Sequence, residues 1–216
     1  MTPDKEYSGR SRIRMFNCDC MDLMKNKPKN HWQLSIVDPP YGIGMSGGNV
    51  GYKGFNNLKR KDWDGSVPDV LYFKTLMNAS ENQIIWGGNY FSLPANRCFI
   101  VWDKGEGFEN RTYAECEYAW ASFDLNAYKI KRDPLCNGDY RGKIHPTQKP
   151  VYVYKHLLRR HAKPGDTILD THGGSMSIAI ACWDLGFDLD ICELDKDYFD
   201  AAVKRFESHI SQQVLF

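Results

Sequence analysis

The sequence predicts an α/β fold in which about seven strands, mostly parallel, form one sheet with helices on both faces. Three observations carry it. Short apolar runs such as Leu34-Ser35-Ile36-Val37 have the length and composition of strands buried on both faces. Segments of helical period alternate with these runs. Turn residues such as Lys163-Pro164-Gly165-Asp166 stand at the junctions.

In chain order, residues 12–18 read as a strand, followed by a helical turn through Met21 and Met24. Residues 33–37 form a second strand, apolar enough to be central. Residues 42–66 are rich in Gly, Asn and Lys, with Tyr52, Phe55 and Trp63 interspersed, which predicts a long functional loop. Pro68 opens a helix through Met77, with Val70, Leu71, Phe73, Leu76 and Met77 as its buried face. Strands follow at 83–86 and 98–102. Residues 115–122 and 127–131 read as an antiparallel pair closing one edge of the sheet. The remainder alternates: helix Val151–His161, strand Thr167–Asp170, helix 175–185, strand Asp188–Cys192 and a final amphipathic helix over 197–209. No internal repeat or low-complexity tract appears.

The 216 residues suffice for one domain spanning 1–216, and 42% hydrophobic and 25% charged residues are ordinary for a globular chain. No apolar segment approaches the length of a membrane span, and Met1-Thr2-Pro3-Asp4-Lys5 lacks the apolar core of a signal peptide, so a cytoplasmic protein without a membrane partner is expected. Seven scattered cysteines with no Cys-x-x-Cys pair predict neither a disulfide framework nor a zinc site, and no metal is expected. A net charge of +1 does not describe a protein that coats nucleic acid. Basic residues nevertheless cluster at Lys53, Lys59, Arg60 and Lys61, at Lys129, Lys131 and Arg132, and at Arg141 and Lys143, in loops able to reach phosphates.

Asp38-Pro39-Pro40-Tyr41 follows the second strand. An amino nitrogen on a heteroaromatic ring is a poor nucleophile because its lone pair is delocalised, and this tetrapeptide holds what localises that pair. The Asp38 carboxylate can accept one amino hydrogen, the Pro39 carbonyl, oriented by two ring-locked residues, can accept the other, and Tyr41 offers a flat face for stacking. A second loop, Asp170-Thr171-His172-Gly173-Gly174-Ser175, lies between a strand and a helix, where small residues let backbone approach a ligand. It is neither a Gly-x-Gly-x-x-Gly fingerprint nor a phosphate loop with a following lysine, which argues against hydride and phosphoryl transfer. About 20 residues on, Glu193 ends the next strand, where a carboxylate either binds ribose hydroxyls or opens a helix.

Taken in order, Asn17-Cys18-Asp19-Cys20, Asp38-Pro39-Pro40-Tyr41, His145-Pro146-Thr147-Gln148-Lys149-Pro150, Asp170-Thr171-His172-Gly173-Gly174-Ser175 and Ile191-Cys192-Glu193-Leu194-Asp195 resemble the permuted β class of amino methyltransferases, in which the catalytic motif precedes the cofactor motif. The resemblance runs from about residue 12 to about residue 208, and the His-Pro-Thr-Gln-Lys-Pro box is its most discriminating part. It implies a Rossmann-like methyltransferase fold of permuted motif order, S-adenosyl-L-methionine as cofactor, and double-stranded DNA as partner. It further implies methyl transfer to adenine N6 after base flipping. Asp38, Pro39, Pro40 and Tyr41 carry over as the catalytic segment. Asp19 carries over as a ligand of the cofactor adenine, Thr147 and Lys149 of its methionine end, and Glu193 of its ribose. Asp170 and the loop His172, Gly173, Gly174 and Ser175 would frame the sulfonium. Cys20, Asp38, Gln148 and Leu194 stand beside these at the cofactor. Cytosine N4 as target, RNA as substrate and a catalytically silent DNA-binding protein are the rival readings. A homodimer and a cognate restriction endonuclease are further partners the family allows.

The chain departs from the family at Met176, where the loop ordinarily continues Gly-Ser-Gly. Either Met176 must adopt a strained positive φ, or it already lies in the first helical turn with its side chain in the core. The second is expected, because Ser177-Ile178-Ala179-Ile180-Ala181 continues as an ordinary packed helix. His145 is expected to be a turn residue. Loops 42–66 and 132–144 are expected to contact DNA. Few residues between Tyr41 and His145 are free of the fold, so a short or loosely specified target follows.

Overall fold

The computed structural model describes residues 1–45 and 61–212. Among them nine strands form one sheet: β1 (Lys5–Ser8), β2 (Arg12–Phe16), β3 (Trp32–Val37), β4 (Ser80–Trp86), β5 (Phe99–Asp103), β6 (Cys116–Ala121), β7 (Tyr128–Lys131), β8 (Thr167–Asp170) and β9 (Asp188–Cys192). Their spatial order is β1-β2-β9-β8-β3-β4-β6-β5-β7. Helices α1 (Cys20–Met24), α2 (Val70–Ala79), α3 (Val151–His161), α4 (Ser177–Leu185) and α5 (Lys196–Gln212) cover its faces.

The central strands β2, β9, β8, β3 and β4 are parallel. Beyond Trp32 at the start of β3, their apolar side chains alternate between two cores. Leu34, Ile36, Ile84, Trp86, Ile168 and Ile191 pack into one core with residues of α3, α4 and α5, whereas Val37, Ile85, Leu169 and Cys192 join a second core with α1 and α2. A strand covered on both faces has no polar side, which is why Leu34 to Val37 of β3 reads as a nearly unbroken apolar run. The crossover from β3 through α2 leads to β4, and the one from β8 through α4 leads to β9 on the opposite side. Strand order therefore reverses between β3 and β8, which pair at Leu34↔Ile168 and Ser35↔Leu169. A crevice opens at the carboxyl ends of the strands at such a switch point.

The structure has more strands than the sequence suggests, and two details differ. β6 and β7 do not pair with each other. β6 runs antiparallel between β4 and β5, and β7 lies parallel to β5 at the sheet edge. The burial pattern explains this: Ala119, Trp120 and Ala121 are buried in succession, as in an interior strand, while β7 alternates. Helix α2 begins at Val70, where Asp69 accepts a hydrogen bond from the Tyr72 amide, and its inward stripe is Tyr72, Leu76 and Ala79. Val70 and Leu71 are instead 65% and 60% exposed. Tyr72 can be buried because its hydroxyl is satisfied by Thr171 Oγ1 at 2.7 Å.

Candidate functional site: two cavities with a common wall

Two cavities open at the carboxyl edge. The first, about 810 Å³, lies over β2, β8 and β9 and is lined by residues 18–21, 171–175 and 193–196 among others. The second, about 580 Å³, lies over β3, β4 and β6 and is lined by Pro39, Tyr41, Gly87, Tyr90, Lys104, Glu117 and Tyr118 among others. Asp38, Pro40, Trp63, Thr147 and Lys149 line both.

The glycine loop of the first cavity is shaped by its neighbours. A Cβ on Gly173 would stand 3.1 Å from Ile191 Cγ1 and 3.2 Å from the Cys192 oxygen, so any side chain there would press this turn away from β9 by a few tenths of an ångström. Gly174, at φ +50, donates its N–H to Glu193 Oε2 at 2.7 Å, and the Asp195 N–H donates to Glu193 Oε1 at 2.8 Å. These two bonds use about half of the carboxylate's four acceptor sites. Burial pushes the Glu193 carboxyl upward, and the two amides oppose it. The Asn17 amide ties the loop after β2 to the Glu193 oxygen (2.8 Å) and the Leu194 oxygen (3.1 Å). Asp19, exposed at the same rim, caps α1 by accepting from the Met21 N–H at 2.8 Å. Cys20 lines the cavity beside it, its thiol pushed up to about 12 by burial and by Asp19. Gln148 also lines it, and its Oε1 accepts from the Ile144 N–H at 3.1 Å.

Three expectations change here. Asp170 is 2% exposed and is not among the lining residues; its carboxylate turns back to accept the His172 N–H at 3.0 Å, so it supports the loop from beneath. Burial pushes its carboxyl up to about 8. Met176 does not lie in the first helical turn. It occupies the N-cap of α4 at φ +51, the left-handed region, with its side chain fully buried. Both readings of the departure thus hold in part: the backbone takes the conformation that suits glycine, costing on the order of 1 kcal/mol, and core packing of the side chain offsets it. Lys149 lines the first cavity, but its ammonium is engaged elsewhere.

That engagement is the common wall. Lys149, with a side chain only 2% exposed, donates to Asp38 Oδ2 at 2.5 Å and pairs with Glu117 Oε2 at 3.0 Å. Lys104 Nζ meets the other Glu117 oxygen at 2.8 Å. Tyr41 donates its hydroxyl to Asp38 Oδ1 at 2.5 Å. Burial pushes Asp38 up, Lys149 pulls it down and Glu117 pushes it up again, leaving it above the ordinary carboxylate value. Burial would likewise raise Glu117, but Lys149 and Lys104 outweigh it and hold its carboxyl at about 2. The Tyr41 ring stacks on Tyr90 at 4.9 Å and 13°, so one face is already covered and the stacking unit is the pair. Gly87, at φ +70, admits this ring: a Cβ there would lie 2.2 Å from Tyr41 Cε1.

Thr147 completes the wall through its hydroxyl, 3.2 Å from His145 Nδ1. His145 is 8% exposed, stacked on Trp63 at 5.2 Å and edge-on to Tyr198 at 4.4 Å. Burial pulls its pKa down to about 3, so it is a neutral packing residue. His172, hydrogen-bonded to Thr171 Oγ1 at 2.9 Å, is likewise held neutral by burial, at about 4.

Lys104, Glu117, Tyr90 and Asp64 belong to no motif by which they could be recognised in the sequence. Asp64 accepts N–H bonds from Tyr41 (2.7 Å), Gly42 (2.9 Å) and Met45 (2.7 Å), tying the two described ends of the 42–66 segment together. Residues 46–60, including Lys53, Lys59 and Arg60, lie outside the described residues. Of the other basic residues, Lys61 is paired with Asp195 and Asp197, and Arg132 makes a bidentate pair with Asp139. Those two charges staple loops, while Lys129, Lys131 and Arg141 are exposed. No group of three or more potential metal ligands occurs among the described residues, and no helix there is long and apolar enough to cross a membrane.

Comparison with known proteins agrees with this geometry. The chain is 36% identical to the Type II methyltransferase M2.DpnII of Streptococcus pneumoniae, over 94% of this chain and 93% of that protein. Its fold is similar to that of the M1.HpyAVI–SAM complex (TM-score 0.56, 22% identity, covering 89% of this chain and 99% of that one). The cytosine-N4-specific PvuII DNA methyltransferase has the same fold (TM-score 0.56, 15% identity, covering 92% and 90%). The N6/N4 DNA methylase family model matches residues 95–204, just over half of the sequence, and with the extent of the M2.DpnII match it establishes that this chain belongs to that family of DNA methyltransferases.

Proposed function

We propose that the chain methylates the exocyclic N6 amino group of adenine in double-stranded DNA, with S-adenosyl-L-methionine as donor and the target base flipped into the second cavity. The observation that carries this reading is the common wall: one acceptor side chain, Asp38, faces two cavities of suitable size, at a switch point where ligands bind. The first cavity fits the cofactor. Glu193 keeps about two acceptor sites beyond its two amides, enough for a pair of ribose hydroxyls, and the turn at Gly173 is tight enough for backbone to approach a ligand. Asp19 would meet the adenine and Thr147 the methionine end. When bound, S-adenosylmethionine supplies an electrophilic methyl group on a positively charged sulfur.

The chain's own work lies on the target side. Asp38 accepts an amino hydrogen, which returns electron density to the nitrogen, and the Pro39 carbonyl accepts the other. Tyr41 and Lys149 hold the carboxylate from both oxygens, so its direction is set before the base arrives. The Tyr41–Tyr90 pair receives the base by stacking. Cytosine N4 is the second reading, because PvuII methyltransferase shares the fold. Asp at position 38 supports adenine, since Ser there would have favoured cytosine N4. The description of M2.DpnII as Type II supports a restriction-modification setting with a cognate endonuclease.

Asp38→Ala should abolish methyl transfer to duplex DNA while leaving S-adenosylmethionine affinity, measured by calorimetry, within a few-fold of the parent. Comparable losses of both in a folded variant would move Asp38 into the cofactor site. Mass spectrometry of nucleosides from methylated DNA should find N6-methyladenine; N4-methylcytosine would replace the adenine reading.

A further inference from the structure

The charges at the common wall form an alternating row: Lys104, Glu117, Lys149, Asp38. Lys149 thus has two carboxylate partners, although one would neutralise it. The second comes from β6, the strand inserted antiparallel between β4 and β5, where Glu117 stands opposite Trp102. Lys149 rests over the Trp86 ring at 5.0 Å and is 3% exposed as a residue, so water does not replace a lost counter-ion.

The need for a second partner follows from proton bookkeeping. Once the amino nitrogen has gained a methyl group it is cationic and must lose a proton. The N–H bond breaks with its electron pair remaining on nitrogen, and an O–H bond forms on Asp38. Asp38 then passes from charge −1 to 0 while Lys149 remains an ammonium ion. Stranding a buried ammonium is strongly unfavourable. We propose that Glu117 is a positioning residue, a second counter-ion that keeps Lys149 paired while Asp38 carries the proton, with Lys104 fixing the other Glu117 oxygen. This rests on the reading of Asp38 given above.

Glu117 also shares the Lys149 charge, so Asp38 is not quenched by a cation held for it alone, which agrees with the upward push that Glu117 exerts on Asp38. The groups facing Asp38 are Lys149, Tyr41, Glu117 from β6, Asp170 from β8 and Tyr154 from α3. Those facing Glu117 are Lys104, Lys149, Lys143, Asp38, Tyr41 and Tyr154.

The test uses the full chain with E117Q, E117D and K104M. In cofactor-free protein, NMR of 13C-labelled Asp38 should show the carboxyl titrating at lower pH in E117Q, because a like charge has gone, and at higher pH in K104M, because an opposite charge has gone. Single-turnover methyl transfer by E117Q should fall on the order of a hundredfold, with DNA and cofactor affinities unchanged, and E117D should restore most of it. A folded E117Q with parental rate and an unmoved Asp38 titration overturns the proposal, as does E117D as slow as E117Q. If E117Q does not fold, an Asp38 titration that K104M leaves unmoved overturns it equally. An active D38A variant would sink the reading of Asp38 itself, whereas an inactive D38A beside a parental E117Q removes only the role of Glu117.

Discussion

On the β8–β9 side of the sheet, the cavity walls are loops that directly follow parallel strands, and each loop is satisfied by its neighbours: Gly174 and Asp195 by Glu193, and Glu193 and Leu194 by Asn17. On the β4–β6 side, the wall is made of single side chains from distant positions, Asp38, Lys104, Glu117 and Lys149, joined through buried charge. The first side is held by backbone geometry, which suits a ligand of constant shape. The second is held by ionic contacts and stacked rings that can yield, which suits a base that must enter from a duplex.

If that contrast is right, the two sides should fail separately. The largest effect is expected from Gly87→Ala, whose methyl group would collide with the Tyr41 ring at 2.2 Å on a backbone of φ +70. Displacing Tyr41 also displaces the hydroxyl that holds Asp38, so methyl transfer should fall about a hundredfold or more, while cofactor affinity stays near the parental value. Equal losses in both assays would show that the halves share one scaffold.

A smaller and opposite pattern is expected from Glu193→Ala. Losing charge-assisted bonds to ribose should weaken S-adenosylmethionine by roughly 1.5–3 kcal/mol, on the order of ten- to a hundredfold. Duplex binding measured without cofactor should be unchanged. Unaltered cofactor affinity by calorimetry would reduce Glu193 to a residue that ties the glycine loop.

The smallest effect concerns stability and sharpens the account of the loop. Burial raises the Asp170 carboxyl to about 8 in the folded chain, against about 4 in an unfolded one. The folded state therefore holds this proton more tightly, and the associated stability is present at acid pH and lost as pH rises from about 4 through 8. Asp170→Asn removes the ionisation while its amide oxygen can still accept the His172 N–H. Its melting temperature should exceed the parent's at pH 9 and converge with it near pH 4. A lower melting temperature at pH 9 would mean that the charge itself stabilises the loop.

Legibility in the sequence followed the same division. The β8–β9 side was visible because its chemistry sits in contiguous segments: a strand, a glycine turn and the next strand's acid occupy a fixed spacing that the fold imposes on the chain. The apolar run Leu34 to Val37, buried on both faces, marked β3 for the same reason. Asp170 and Met176 depart from expectation there, because a residue next to the glycine turn can point beneath it or take a left-handed backbone with its side chain in the core.

What the sequence by itself determined was local: which runs become central strands, that Asp38-Pro39-Pro40-Tyr41 follows β3, and which turn is built on glycine. Each follows from backbone sterics or from periodicity within a few residues. What only the tertiary structure decided was pairing at a distance. That β6 enters the sheet between β4 and β5, bringing Glu117 to Lys149, and that Lys61 and Arg132 staple loops instead of standing free, depends on contacts between residues many positions apart. Charge carries no periodicity that reveals its partner, so two lysines with the same local surroundings can end as a solvated side chain or as the buried centre of a wall between two cavities.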